Sequence, residues 1–85
     1  MSGQLEEKHR NDLILRLKRV EGQLRGVQKM IEGGEECEKI GEQMAASRKA
    51  LDRAFYLMIG CMLEQHAGKD PYRASEVTSL LARLA

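Results

Sequence analysis

LILRLKRVEGQLRGVQKMI, Leu13 to Ile31, decides the fold. Apolar side chains recur at Leu13, Leu17, Val20, Leu24, Val27 and Ile31, at spacings of 4, 3, 4, 3 and 4. A strand would alternate every second residue; this repeat belongs to an amphipathic helix with a coiled-coil-like seam. The pattern predicts a first helix over residues 5–32. Gly22 and Gly26 lie inside it, one turn apart, at a propensity cost of roughly 1 kcal/mol each. The Gly33-Gly34 pair ends it, since adjacent residues free to take left-handed conformations suit a helix C-cap and turn.

Downstream the same periodicity resumes. Cys37, Ile40, Met44, Ser47, Leu51, Ala54, Met58 and Cys61 form a second seam, widened by a stripe of Phe55, Ile59, Met62 and His66. A second helix is therefore expected over 35–66. Gly68 and Asp70-Pro71 break it, and a short third helix is expected over 71–84, carrying Val77, Leu80, Leu81 and Leu84. The reading is one all-α domain over 1–85: a three-helix protomer with two long antiparallel helices. A helix of some thirty residues spans about 45 Å. Two such helices cannot enclose a core between them, so both seams call for a homo-oligomeric helical bundle.

Composition narrows the class. Eighty-five residues with two cysteines make no disulfide scaffold. No secretory segment or membrane-spanning run appears, so the expected protein is cytoplasmic, with reduced thiols and no membrane partner. The formal net charge of +1 conceals a segregated layout. Residues 8–29 carry Lys8, Arg10, Arg16, Lys18, Arg19, Arg25 and Lys29 against Asp12 and Glu21. Glu32, Glu35, Glu36, Glu38 and Glu42 follow, and then a second basic group of Arg48, Lys49 and Arg53. Such segregation suits a polyanion-binding surface.

The cysteines stand 24 residues apart. On one helix that is roughly 36 Å, so they cannot meet within a chain. Two copies of the second helix packed antiparallel about a two-fold axis would pair Ser47 with Leu51, Met44 with Ala54, Ile40 with Met58, and Cys37 with Cys61. A seam that matches itself in reverse is what an isologous interface requires. Cys37, at a helix start beside a turn, is expected to be the attacking thiol, and Cys61 the resolving partner. Buried thiols and thioethers are also ordinary core fillers, a reading that composition leaves open.

RLKRVEGQLRGVQKMIEGGEEC (Arg16 to Cys37) followed by EQMAASRKALDRA (Glu42 to Ala54) resembles the CsoR/RcnR-type transcriptional repressors. The resemblance covers residues 10–66 without a gap. It implies a three-helix protomer, an antiparallel dimer paired again into a tetramer, and binding to double-stranded operator DNA without a helix-turn-helix. It also implies release from DNA when an inducer reacts between protomers. The family's first ligand position falls on Cys37. The next falls on Met62, where copper, nickel and formaldehyde sensors have histidine. The last falls on His66, which is cysteine in copper sensors and in the persulfide-sensing CstR branch, and histidine in the nickel–cobalt branch. Cys61 sits one residue before the family position, and Glu36 replaces the tyrosine of copper sensors.

Together these point to a repressor, not an enzyme, with Arg16, Lys18, Arg19, Arg25, Arg48, Lys49 and Arg53 as the DNA-binding set. The expected inducer is persulfide or another reactive sulfur species acting on Cys37 and Cys61, nearest the CstR branch. The alternative is a Cu(I) sensor using Cys37, Cys61, Met62 and His66, because thiolate and thioether donors suit that ion. No cofactor is obligatory in either case. A small Cu(I) carrier or storage protein is the rival from outside the family. Catalysis ranks last, since no orienting carboxylate–histidine pair accompanies either thiol.

Overall fold

The computed structural model describes residues 4–66 and 73–84, with the side chains of 66 and 73–77 outside that description. Three helices follow in order: α1 over Glu7–Glu32, α2 over Cys37–His66 and α3 over Arg73–Leu84. Among the described residues there is no strand, and no helix is long and apolar enough to cross a membrane. The all-α, three-helix fold expected from the two seams is therefore what the chain forms. The break expected at Gly68 and Asp70-Pro71 lies outside the described residues.

The α1–α2 turn shows why the two glycines stand where they do. Gly34 adopts φ 74, in the left-handed region. Its N–H donates to the carbonyl of Ile31 at 3.1 Å, and the Glu35 N–H donates to that of Met30 at 2.9 Å. This pair of bonds is the Schellman closure, which satisfies carbonyls that the helix end leaves orphaned. A Cβ at Gly33 would stand 3.2 Å from the Lys29 carbonyl oxygen, so that site is tight as well. The carbonyl of Glu36 accepts the first bond of α2 from Ile40 at 3.1 Å. The helix thus opens with Cys37, two residues later than the seam alone suggests. We expect Gly34→Ala to destabilise the protein by about 1 kcal/mol, from the left-handed strain. Chemical denaturation with an unchanged m-value would register it.

Along the hairpin, α1 buries Leu13, Val20 and Val27, and α2 buries Ser47, Ala54 and Cys61. Each set repeats every seven residues, one row against the other. Ser47 is tolerated there because its hydroxyl donates to the Gln43 carbonyl at 3.0 Å. At the open end, the Gln65 side-chain amide donates to the Gln4 carbonyl at 2.7 Å, and His9 lies 3.6 Å from Glu64. Leu13 therefore sits level with Cys61, and Val27 with Ser47.

The seam of α2 divides in two, which corrects one sequence expectation. Periodicity alone assigns Ser47, Ala54 and Cys61 to a second copy of α2; they are already used against α1 of their own chain. What stays uncovered is the neighbouring row, with Met44 48% and Leu51 47% exposed, and its counterpart on α1, Leu17, Leu24 and Ile31. The rows are offset from the buried contact by about 40° on α1 and 60° on α2, at 100° per residue. Because the helices run antiparallel, the same sense of offset lands both rows on one side of the hairpin.

The protomer measures 53 × 26 × 13 Å, with a radius of gyration of 16.9 Å. A compact chain of this length would have about 12 Å. Thirteen ångströms is one helix thick, so the protomer is a single layer with two open faces.

Candidate functional site

Helix geometry gives the layer two different faces. On the apolar side lie Leu17, Leu24, Ile31, Met44 and Leu51, and Cys37 stands at the end of the same row, exposed as the first residue of α2. Met62 is half-buried and falls within about 20° of Cys37 around the helix axis. His66 follows Met62 by one turn as the last residue of α2, its side chain outside the description.

Cys61 is elsewhere. It is 4% exposed, packs toward α1, and lies about 120° around α2 from Cys37. Its neighbours are Glu6, His9, Glu64 and Gln65, which with it line an open pocket of about 230 Å³ between the start of α1 and the end of α2. Burial pushes the Cys61 thiol above its ordinary value of 9.0, and the carboxylates of Glu64, Glu6 and Asp12 push it the same way. The two thiols, a single switch when read from the sequence, thus occupy different environments in the protomer. A bridge from Cys37 of one copy to Cys61 of another requires Cys61 to leave its packing against α1. Among the described residues no three His, Cys, Asp or Glu side chains already surround a common point.

The raised Cys61 value has a consequence for stability. An acid whose folded value lies above its unfolded one favours the protonated folded state. Its contribution is fully present below the unfolded value and is lost as pH rises through the folded one. We expect unfolding free energy to fall as pH climbs above 9, and the fall to be smaller in Cys61→Ala. Denaturant titrations of both proteins across that range measure the difference.

The basic residues sort just as unevenly. Arg16, Arg19 and Arg53 project on the side opposite the apolar rows, with Lys49 at its margin. Arg19, Arg53 and Lys49 are exposed; Arg16 is half-exposed, its Nε donating to Asp12 Oδ1 at 2.9 Å. Lys18 and Arg25 point outward along the far edge of α1, and Arg48 turns toward the apolar side. Of the seven residues assigned to DNA, the hairpin brings three or four onto one face. Lys8, outside that set, joins it, eleven residues and almost three whole turns before Arg19. His9 also escapes a reading by motif, though its position one turn before Leu13 extends the α1 seam and so signals its approach to α2.

Residues 9–84 match a family described as metal-sensitive transcriptional repressors. An uncharacterized protein of Bacillus subtilis (strain 168), YrkD, is 38% identical over 56 residues, covering 66% of this chain and 87% of that protein. A single-layer helical hairpin with one basic and one apolar face, matched over nearly its whole length, belongs to the metal-sensitive transcriptional repressor family.

Proposed function

We propose that the protein holds operator DNA through the Arg16–Arg19–Arg53 face of a homo-oligomer and releases it when an inducer engages Cys37 at the seam between copies. The observation that carries this is the one-helix thickness: the thiol row and the arginine face are opposite sides of the same hairpin. A ligand that alters how two copies pack on the apolar side changes the spacing of the basic faces across it. DNA, with phosphates at fixed intervals, is sensitive to that spacing.

The inducer best matched by the donors is a soft metal ion, Cu(I) first. Cys37, Met62 and His66 share one line along α2, but the helix separates Cys37 from Met62 by roughly 38 Å. Donors so placed converge only between antiparallel copies, thiol from one and thioether and imidazole from the other. A thiolate, a thioether and an imidazole form a soft set that suits Cu(I) and would hold it against harder competitors. Cys61 drops out of this set because it faces α1. The second reading is reactive sulfur at Cys37, favoured by the exposure of that thiol. In that case Cys37 carries the modification without Cys61.

One experiment separates these. Operator complexes of wild type, Cys37→Ala and Met62→Ala are exposed in parallel to Cu(I), persulfide, Ni(II) and formaldehyde, with DNA release and intact mass recorded. Release by Cu(I) that needs both Cys37 and Met62 supports the metal reading. Release by persulfide that needs Cys37 and not Met62 supports the second. Full release from the Cys37→Ala complex by every agent disproves both.

A further inference from the structure

The pocket at the open end of the hairpin plays no part in the switch at Cys37. We propose that Cys61, His9 and Glu64, with Glu6 beside them, form a site within each protomer for a divalent transition-metal ion of borderline softness, such as zinc. It does not depend on Cys37 or on a second copy.

Three observations carry the proposal. The pocket of about 230 Å³ is lined by a thiol, an imidazole and two carboxylates. The thiol is 4% exposed and, among the described residues, has no hydrogen-bond partner, so a buried soft donor faces the space unmatched. Finally, His9 Nε2 stands 3.6 Å from Glu64 Oε2. That is too long for a hydrogen bond. It is close to the separation of a nitrogen and an oxygen bound to one ion at about 2.0–2.1 Å and an angle near 120°.

The electrostatics agree. Glu6, Glu64 and Asp12 surround the thiol with negative potential, which opposes a bare thiolate and attracts a cation. Among the described residues no three such donors are placed to hold one ion, so they would have to close around it on binding. The Glu64 side chain is 65% exposed and paired with His9 at 3.6 Å, and the Gln65–Gln4 hydrogen bond already pins the first described residues across the end of α2. On binding, the Cys61 proton passes to solvent and the sulfur becomes a ligand. The donor set selects among ions. Magnesium and calcium prefer all-oxygen shells, and Cu(I) gains nothing from two carboxylates. Bound there, the ion ties the start of α1 to the end of α2.

Co(II) titration of the reduced full-length protein tests this, reading the near-ultraviolet charge-transfer band that a thiolate–cobalt bond produces, with zinc as competitor. Wild type and Cys37→Ala should show the band at one ion per protomer and a higher melting temperature with the ion than without it. Glu64→Gln changes an exposed side chain and His9→Gln a partly buried one at the end of the hairpin, and neither removes one of the six buried residues. Each should lose at least the roughly 10–100-fold in affinity that loss of an outer-shell partner costs a metal site. The proposal is overturned if wild type shows no band, if Cys37→Ala abolishes it, or if His9→Gln binds as tightly as wild type. Because Cys37→Ala removes the proposed inducer thiol and keeps this site, failure of one reading is distinguishable from failure of the other.

Discussion

Replacing Leu24 and Leu51 with glutamate should convert a folded oligomer into unfolded monomers at micromolar concentration. Both leucines are nearly half exposed on the protomer, at 45% and 47%, and both sit on the apolar face. Covering a leucine contributes about 1.5–3 kcal/mol. In a two-fold pair each substitution counts twice, so four apolar side chains are removed from the interface. With about half of each leucine still to be covered, that is at least about 3 kcal/mol, or roughly two orders of magnitude in the dissociation constant, before the cost of burying charge. The six buried residues among those described are none of them less than 2% exposed, a thin core for a hairpin of this length. Sedimentation and circular dichroism read the outcome together. A double variant that sediments as a folded monomer would show that the protomer is self-sufficient.

Charge removal on the opposite face should be as damaging to DNA binding and harmless to assembly. The triple substitution of Arg16, Arg19 and Arg53 by alanine should weaken operator binding by about a hundred-fold or more, at about 1 kcal/mol or above per arginine. The slope of log affinity against log salt should flatten by about 0.9 for every phosphate no longer neutralised. Lys18→Ala and Arg25→Ala, at the outer edge of α1, should cost much less. Asp12 sharpens the test at Arg16. Its carboxylate occupies Nε and leaves the two terminal nitrogens of the guanidinium for DNA, so Arg16→Lys should not restore affinity. Electrophoretic mobility shifts at several salt concentrations measure all of these. Equal effects at Arg25 and Arg19 would mean that the contact face is drawn wrongly.

Most of the fold was legible from two apolar repeats and one glycine pair. The seven-residue periodicity of Leu13, Val20 and Val27, and the turn at Gly34, need no information from outside the local chain. What the repeat could not show was which neighbour covers which row. Adjacent rows of a heptad, such as Ser47–Ala54–Cys61 and Met44–Leu51, lie only some 60° apart on the helix, and both are apolar. Hydrophobic spacing is blind to whether α1 or a second copy packs on each. The same blindness joined Cys61 to Cys37, since a seam read as one line hides a turn of about 120° between its ends. His9 and Glu64, 55 positions apart, meet only because the turn at Gly33-Gly34 fixes the register of the hairpin.

A layer one helix thick also dictates how the protein comes into being. Its folding is expected to be a reaction of at least second order, if no single chain reaches a protected state before it meets another. Refolding should accelerate with concentration, and melting temperatures should rise with it. Chains released singly from ribosomes would spend their first moments with leucine rows bare to proteases, and those that meet no partner are expected to be removed. The standing level of repressor should then depend on how often newborn chains collide as well as on how often they are made.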